Sequence, residues 1–284
     1  VKSVPTQRAA KGKEAVKAFT LIELLVVMSI IMMLASMMLP SLSRAKEKAK
    51  TITCVNNLRQ LGLALRMYVD DRNSKFPPSR VYDALDQRWK SLRPALGGFD
   101  PQPEYSPYFP PERLRPLNAY VAAGQVYRCP VDRGQRRLVC PEITPKRPNF
   151  NAAGCSYQYN SGSLAVLQNG GFRKGVEDAG AGLAEKPDSW VPVPSKYILM
   201  HEPPARMYGC LTHGPEWYQW HYARGPSDIE DPTIARRDFV SPTLFVDGHS
   251  AVLNFSKSLA GDPYYPYEDT RDWTWYKSRP KKEK

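Results

Sequence analysis

From Phe19 to Leu39 the chain runs through 21 residues with one charged side chain, Glu23, and no other segment constrains the fold as tightly. At about 1.5 Å per residue such a run makes a helix of about 30 Å, the thickness of a hydrocarbon core. A cleaved secretory signal has a shorter apolar core, about 7–15 residues, ending in a small-residue cleavage site. Here Pro40 follows instead, and the expectation is a transmembrane helix over 19–39. A carboxylate in hydrocarbon costs about 2.5–3.5 kcal/mol on insertion scales, so it requires a partner. No basic residue lies within the run. The partner of Glu23 is therefore expected outside its own helix, on another chain or at a new amino terminus made by processing.

Past Pro40, the stretch SLSRAKEKAKTITCVNNLRQLGLALRMYVDD keeps helical periodicity. Leu42, Ala45, Ala49, Ile52, Val55, Leu58, Leu61, Leu65 and Tyr68 recur at intervals of three and four, which predicts an amphipathic continuation to about Asp70. Pro40, lacking an N–H, is expected to kink the helix near the membrane boundary.

Charge is concentrated at the two ends. Residues 1–18 carry Lys2, Arg8, Lys11, Lys13 and Lys17 against Glu14, and the last eight residues carry five bases against Glu283. Each end thus contributes +4 of the net +12, which leaves the body mildly basic and argues against a specific nucleic-acid partner. No nucleophile elbow, phosphate-binding glycine loop or HExxH motif occurs, so no enzyme is expected. The five cysteines form no CxxC pair and no recognisable zinc spacing.

The remainder reads as an α+β domain. Residues 76–116 are dense in proline and aromatics, a loop region with at most one short helix near Val81 to Leu92. A short helix at the start of LNAYVAAGQVYRCPVDRG, a turn at Gly124 and a strand over Val126 to Cys129 follow. CSYQYNSGS and KYILMHEPP read as further strands. TLFVDGHSAVLNF reads as a hairpin turning at Asp247-Gly248 in a type I′ turn, with Val246 opposite His249 and Leu244 opposite Ala251. The predicted segments are a basic leader (1–18), a transmembrane helix (19–39), its amphipathic continuation (40–72), a loop region (73–116), a globular domain (117–260) and a basic tail (261–284). One long helix followed by short antiparallel strands packs as helix on sheet.

AFTLIELLVV with its basic leader resembles the prepilin-type cleavage and methylation motif of type IV pilins and type II secretion pseudopilins. That resemblance implies cleavage between Ala18 and Phe19 by a prepilin peptidase, N-methylation of Phe19, and placement of Glu23 and Pro40 at the family's fifth and twenty-second mature positions. Alanine stands at Ala18 where the family usually has glycine. The motifs CVNNLRQLGLALRMYVDD, VYRCPVD, SYQYN and LFVDGHSAVLNF are similar, in order and spacing, to a pseudopilin-like branch abundant in Planctomycetes, Verrucomicrobia and Lentisphaerae. The C-terminal hallmark of that branch is a histidine ahead of an Asp-Gly pair. Asp247-Gly248 matches the pair, whereas the histidine position holds Arg237.

The resemblance implies a pilin-like fold and a structural role: a filament or pseudopilus subunit, held by an inner-membrane assembly machinery and the lipid bilayer. It further implies a cytoplasmic leader, a body outside the inner membrane, and Glu23 neutralising the Phe19 ammonium of a neighbouring subunit. Cys54 and Cys129 sit inside the family-like motifs and form the first candidate disulfide, with Cys129–Cys140 the second. No cofactor is expected. Calcium, bound near the C-terminus of major pseudopilins, has candidate ligands in Asp228, Glu230 and Asp231. All four histidines, His201, His213, His221 and His249, lie within fifty residues, alongside Glu202 and Asp247, and His201, His249 and Asp247 are the candidate ligands for a transition metal. Two alternative functions remain open at this point. One is a surface or minor pilin binding polysaccharide through Trp217 and Trp220; the other is a membrane-anchored periplasmic hydrolase using the histidines.

Overall fold

The computed structural model describes residues 20–121, 124–132, 148–161, 182–202, 240–261 and 270–275, together with His221 and the backbone of 167–168, 171–172, 208–210 and 214–216. In chain order the elements are helix α1 (Leu21–Asp71), strands β1 (Arg80–Asp83) and β2 (Arg88–Ser91), helix α2 (Asn149–Ala153), strands β3 (Gln158–Tyr159), β4 (Leu167–Gln168), β5 (Gly171–Phe172), β6 (Ile198–His201), β7 (Tyr208–Cys210), β8 (Gly214–Glu216), β9 (Val240–Phe245) and β10 (Ser250–Asn254), and helix α3 (Ser256–Gly261). The architecture is α+β, as expected: one long N-terminal helix and small antiparallel sheets.

The chain divides into two compact units, Val1–Lys46 and Glu47–Lys284. In the first, the described residues are the apolar half of α1. Its large hydrophobic side chains from Leu21 to Leu42 are all exposed, and α1 is long and apolar enough to cross a membrane. The helix runs unbroken through Pro40. Three serines, Ser29, Ser36 and Ser41, turn their hydroxyls back onto carbonyls three residues earlier, which hides them from hydrocarbon.

In the second unit, α1 buries Thr51, Cys54, Leu58, Leu61, Leu65 and Tyr68, spaced three or four apart on one face. Ile52, expected on that face, is exposed. The buried stripe begins one residue earlier, at Thr51 and Cys54, two side chains that an apolar pattern passes over. The stripe packs on a four-stranded antiparallel sheet of order β10-β9-β6-β3. Leu58, Leu61 and Leu65 share one core with Tyr157, Tyr159, Leu199, Met200 and Leu244. A buried leucine is worth about 1.5–3 kcal/mol, so this face carries much of the body's stability. At its centre Leu244 fills the space where a Gly62 side chain would stand, with its Cδ1 only 2.9 Å from an ideal Cβ.

The opposite sheet face is covered by aromatics from the end of the chain. Trp275 is fully buried, with its ring 5.0 Å from His201 and 5.9 Å from Phe255, and Phe255 also meets Trp273. Asn160 donates to the carbonyls of both Ile198 and Trp275, fastening this segment to the sheet. Trp273 and Trp275 thus form part of the core although they fall in the segment read as a basic tail. The two tryptophans outweigh the surrounding charge.

Three local expectations are corrected. Residues 81–92, read as a possible helix, form the β1–β2 hairpin, in which Tyr82 faces Trp89 and Lys90 bridges Asp83 and Asp86. Gln87 takes positive φ in its turn. Residues 126–129, read as a strand, belong to a 3-10 turn over Gly124–Tyr127 and the turn that follows. The β9–β10 hairpin exists, but its register differs by one: Leu244 pairs with Ser250 and Thr243 with Ala251. Gly248 takes positive φ (91°) but Asp247 does not, so the loop has three residues, Val246 to Gly248, and not two. The Asp247 carboxylate accepts the His249 backbone N–H (3.1 Å), an Asx turn that favours this loop. Phe245 then lies opposite His249, and their rings stack at 4.2 Å.

Two glycines at positive φ respond differently to a side chain. A Cβ at Gly154 would stand 2.0 Å from the Phe99 carbonyl oxygen, which is backbone, whereas one at Gly248 would meet nothing. Gly154→Ala is expected to lose at least about 3 kcal/mol and Gly248→Ala only about 1–2 kcal/mol, measured by urea denaturation followed through tryptophan fluorescence.

Candidate functional site

At the start of α1, Glu23 is held by its own helix. The Thr20 backbone N–H (2.9 Å) and hydroxyl (2.8 Å) both donate to Glu23 Oε2, and the Glu23 N–H donates to Thr20 Oγ1 (3.2 Å). This reciprocal arrangement is a capping box, and its Thr-x-x-Glu signature, TLIE, was present in the sequence but passed over. It supplies a local partner where only an external one was expected. These donors are neutral, however, and no ion pair reaches Glu23 among the described residues. Pro40 lies inside α1, while Ala18 and Phe19 lie outside the described residues.

A second constellation is buried in the body. Cys54 from α1, Cys129 from the turn after Tyr127, Glu202 immediately after β6 and His221 converge so that one ligand atom from each lies within 4.8 Å of all the others. His221 is placed by a bridge to Val240 at the start of β9. The Cys54 and Cys129 Sγ atoms are 2.7 Å apart, and both thiols are free. His221 Nε2 lies 2.7 Å from Glu202 Oε2 and 3.5 Å from Cys129 Sγ. Its other nitrogen, Nδ1, lies 3.2 Å from Thr51 Oγ1.

The surrounding residues fix these positions. Asp132 accepts the Asn149 and Phe150 backbone N–H groups at the start of α2 and the Ser156 hydroxyl (2.6 Å). Ser156 Oγ in turn accepts the Cys129 N–H at 3.1 Å. Asn57, one turn along α1 from Cys54, donates to the Arg128 carbonyl and to the Tyr157 hydroxyl, both at 3.0 Å. Electrostatics follow from burial. Removal from water, reinforced by Cys54 and Glu202, pushes the Cys129 thiol far up. For His221, burial works to lower the value, but the Glu202 carboxylate and Cys54 outweigh it and raise the imidazole to about 9. The separate Cys155 thiol is pushed up to about 12 by burial, which leaves it unreactive.

The structure brings Cys54 and Cys129 together, as the candidate disulfide required. It adds Glu202 and His221, which sequence reasoning had noted only among scattered histidines and acids. His201 is buried against Trp275, and His249 pairs with Asp247 at 2.6 Å beside the hairpin turn. Neither belongs to the cluster of Cys54, Cys129, Glu202 and His221. Trp217, Trp220, His213, Arg237, Asp228, Glu230, Asp231 and Cys140 lie outside the described residues, as does the Cys210 side chain.

Residues 15–39 match a family described as the prokaryotic N-terminal methylation motif. Residues 43–176 match a second family, described as a protein of unknown function (DUF1559) and typical of planctomycete-type pilin-like proteins. The methylation motif marks a pilin-like precursor. No curated protein and no solved structure matches the chain. As a pilin-like precursor it carries a prepilin motif on a helix suited to single-pass membrane anchoring, which implies a processing peptidase and fellow subunits as partners. The DUF1559 match covers Cys54 and Cys129 of the cluster, with Thr51, Asn57, Asp132 and Ser156 around them, and ends before Glu202 and His221.

Asp132 organises the pilin-like chain's Cys129 turn through three hydrogen bonds and one relay. Asp132→Ala is expected to cost about 1–3 kcal/mol through the donors left unpaired, read as a lower urea midpoint with an unchanged m-value.

Proposed function

We propose that this pilin-like protein is a structural subunit of a type IV pilus-like or pseudopilus filament, matured by cleavage before Phe19 and assembled by parallel packing of the apolar half of α1. The observation that carries the reading is the charged Glu23 in the methylation-motif segment, with no cation paired to it among the described residues. Cleavage creates an ammonium at Phe19 four residues away in sequence. In a helical stack the carboxylate of one subunit neutralises the ammonium of its neighbour, and the pair sets register because either charge alone in an apolar bundle is strongly unfavourable. The leader is cytoplasmic and the body lies on the far side of the inner membrane. The role is structural and not catalytic, and it involves type II secretion only if the filament is a pseudopilus.

The capping box makes the test selective. Glutamine at position 23 can still cap Thr20 but carries no charge. N-terminal mass spectrometry of protein from membranes is expected to find a mature chain starting at N-methylated Phe19. Glu23→Gln is expected to be processed and inserted normally, while filament yield in sheared fractions falls about 100-fold or more, because a lone buried ammonium costs about 3–5 kcal/mol. An intact leader would overturn the maturation step. Filaments of Glu23→Gln at the wild-type level would reduce Glu23 to a helix cap.

A further inference from the structure

We propose that Cys54, Cys129, Glu202 and His221 form a closed four-ligand site for a thiophilic divalent cation, zinc by preference. The proposal is independent of the assembly reading, because it concerns the body and not the apolar half of α1.

Four observations carry it. First, the ligand atoms of two cysteines, one carboxylate and one imidazole meet within 4.8 Å, and all four residues are buried. Second, the cluster is not self-sufficient. Glu202 is fully buried and, among the described residues, its Oε1 has no hydrogen-bond partner, a costly condition for a carboxylate. A cation at the centre would supply the missing partner. Third, the ligand set selects the ion. Thiolates and imidazole suit zinc, whereas calcium and magnesium require six or more oxygen ligands, and this cluster offers one carboxylate. Fourth, the outer contacts orient the ligands. The Thr51 hydroxyl engages His221 Nδ1, so that Nε2 faces Cys129 and Glu202, and Ser156 holds the backbone of Cys129.

A Cys54–Cys129 disulfide is the competing account. It explains two of the four residues and gives no reason for a buried carboxylate and imidazole to close on the same point. The sulfurs, and likewise His221 Nε2 and Glu202 Oε2, stand 2.7 Å apart, closer than ligand atoms around a bound zinc. Zinc bonds of about 2.0–2.3 Å in tetrahedral geometry set ligand atoms about 3.3–3.8 Å apart, an opening of about 1 Å. On binding, the ion displaces both thiol protons and the proton shared by His221 and Glu202. No electron is transferred.

The four ligands come from α1, the Cys129 turn, the end of β6 and the strand edge beside β9. Bound metal would therefore tie the helix to the sheet across chain separations of 75 residues (Cys54 to Cys129) and 19 residues (Glu202 to His221).

The test uses the full-length chain in detergent, purified under reductant without chelator, with zinc chloride and cobalt chloride as probes. The expected result is one zinc per chain by elemental mass spectrometry. Cobalt should give tetrahedral d–d absorption with a thiolate-to-metal charge-transfer band. Zinc should shield Cys54 and Cys129 from alkylation until a chelator is added, a readout on the unmodified chain that does not depend on any variant folding. Thr51→Val, which removes the contact to Nδ1 together with the hydroxyl's bond to the Glu47 carbonyl within α1, should weaken affinity about 10–100-fold with stoichiometry unchanged. Glu202→Gln and His221→Asn should each weaken it at least as much. Zinc uptake unchanged in Cys54→Ser/Cys129→Ser would overturn the site, as would a reduced chain that binds no zinc and reoxidises to a Cys54–Cys129 disulfide.

Discussion

The body of this protein depends on how closely α1 approaches its sheet. Gly62 removes the one side chain that would hold them apart, and Leu244 from β9 occupies the vacated space. With the backbones this near, Leu58, Leu61 and Leu65 reach Tyr157, Tyr159 and Met200 without a gap between layers. The same approach brings Cys54, one turn before Leu58, within reach of Cys129, Glu202 and His221. Packing and ligand convergence are therefore two results of one contact.

Helix α1 also joins two environments along a single element. Up to Leu39 it is apolar nearly all round, which suits lipid or other helices; from Glu47 on it is apolar along one stripe, which suits a sheet. Glu23 stands at the start of the first part, within a capping box that fixes its rotamer before any neighbour arrives. Such pre-ordering lowers the entropy lost when a cation docks against it.

Much of this was legible from the chain. The length of the apolar run, the helix end near Asp71 and the strands at Gln158, Ile198 and Ser250 follow from periodicity and turn residues. The errors have specific causes. Thr51 and Cys54 are polar or ambiguous by composition, so the buried stripe was read one residue late. Asp-Gly signals both two-residue and three-residue hairpin loops, and only the Asp247 carboxylate contact to the His249 N–H decides between them. The buried cluster was legible only in part: its cysteines stood in recognisable motifs, but Glu202 and His221 are brought in by β6 and the edge of β9, and no short spacing encodes a site drawn from four elements. Trp273 and Trp275 were hidden by the charge around them.

Those two tryptophans impose an order on biogenesis. The sheet face they cover stays open until residues beyond 270 have left the ribosome, whereas the apolar half of α1 emerges near the beginning. Insertion of the anchor can thus precede completion of the body by about 200 residues of synthesis, on the order of ten seconds or more at ordinary elongation rates. A chain stalled or clipped before Trp273 would be a membrane-tethered protein with an uncovered aromatic sheet face, a natural substrate for quality-control proteolysis before it could compete for a place among its neighbours.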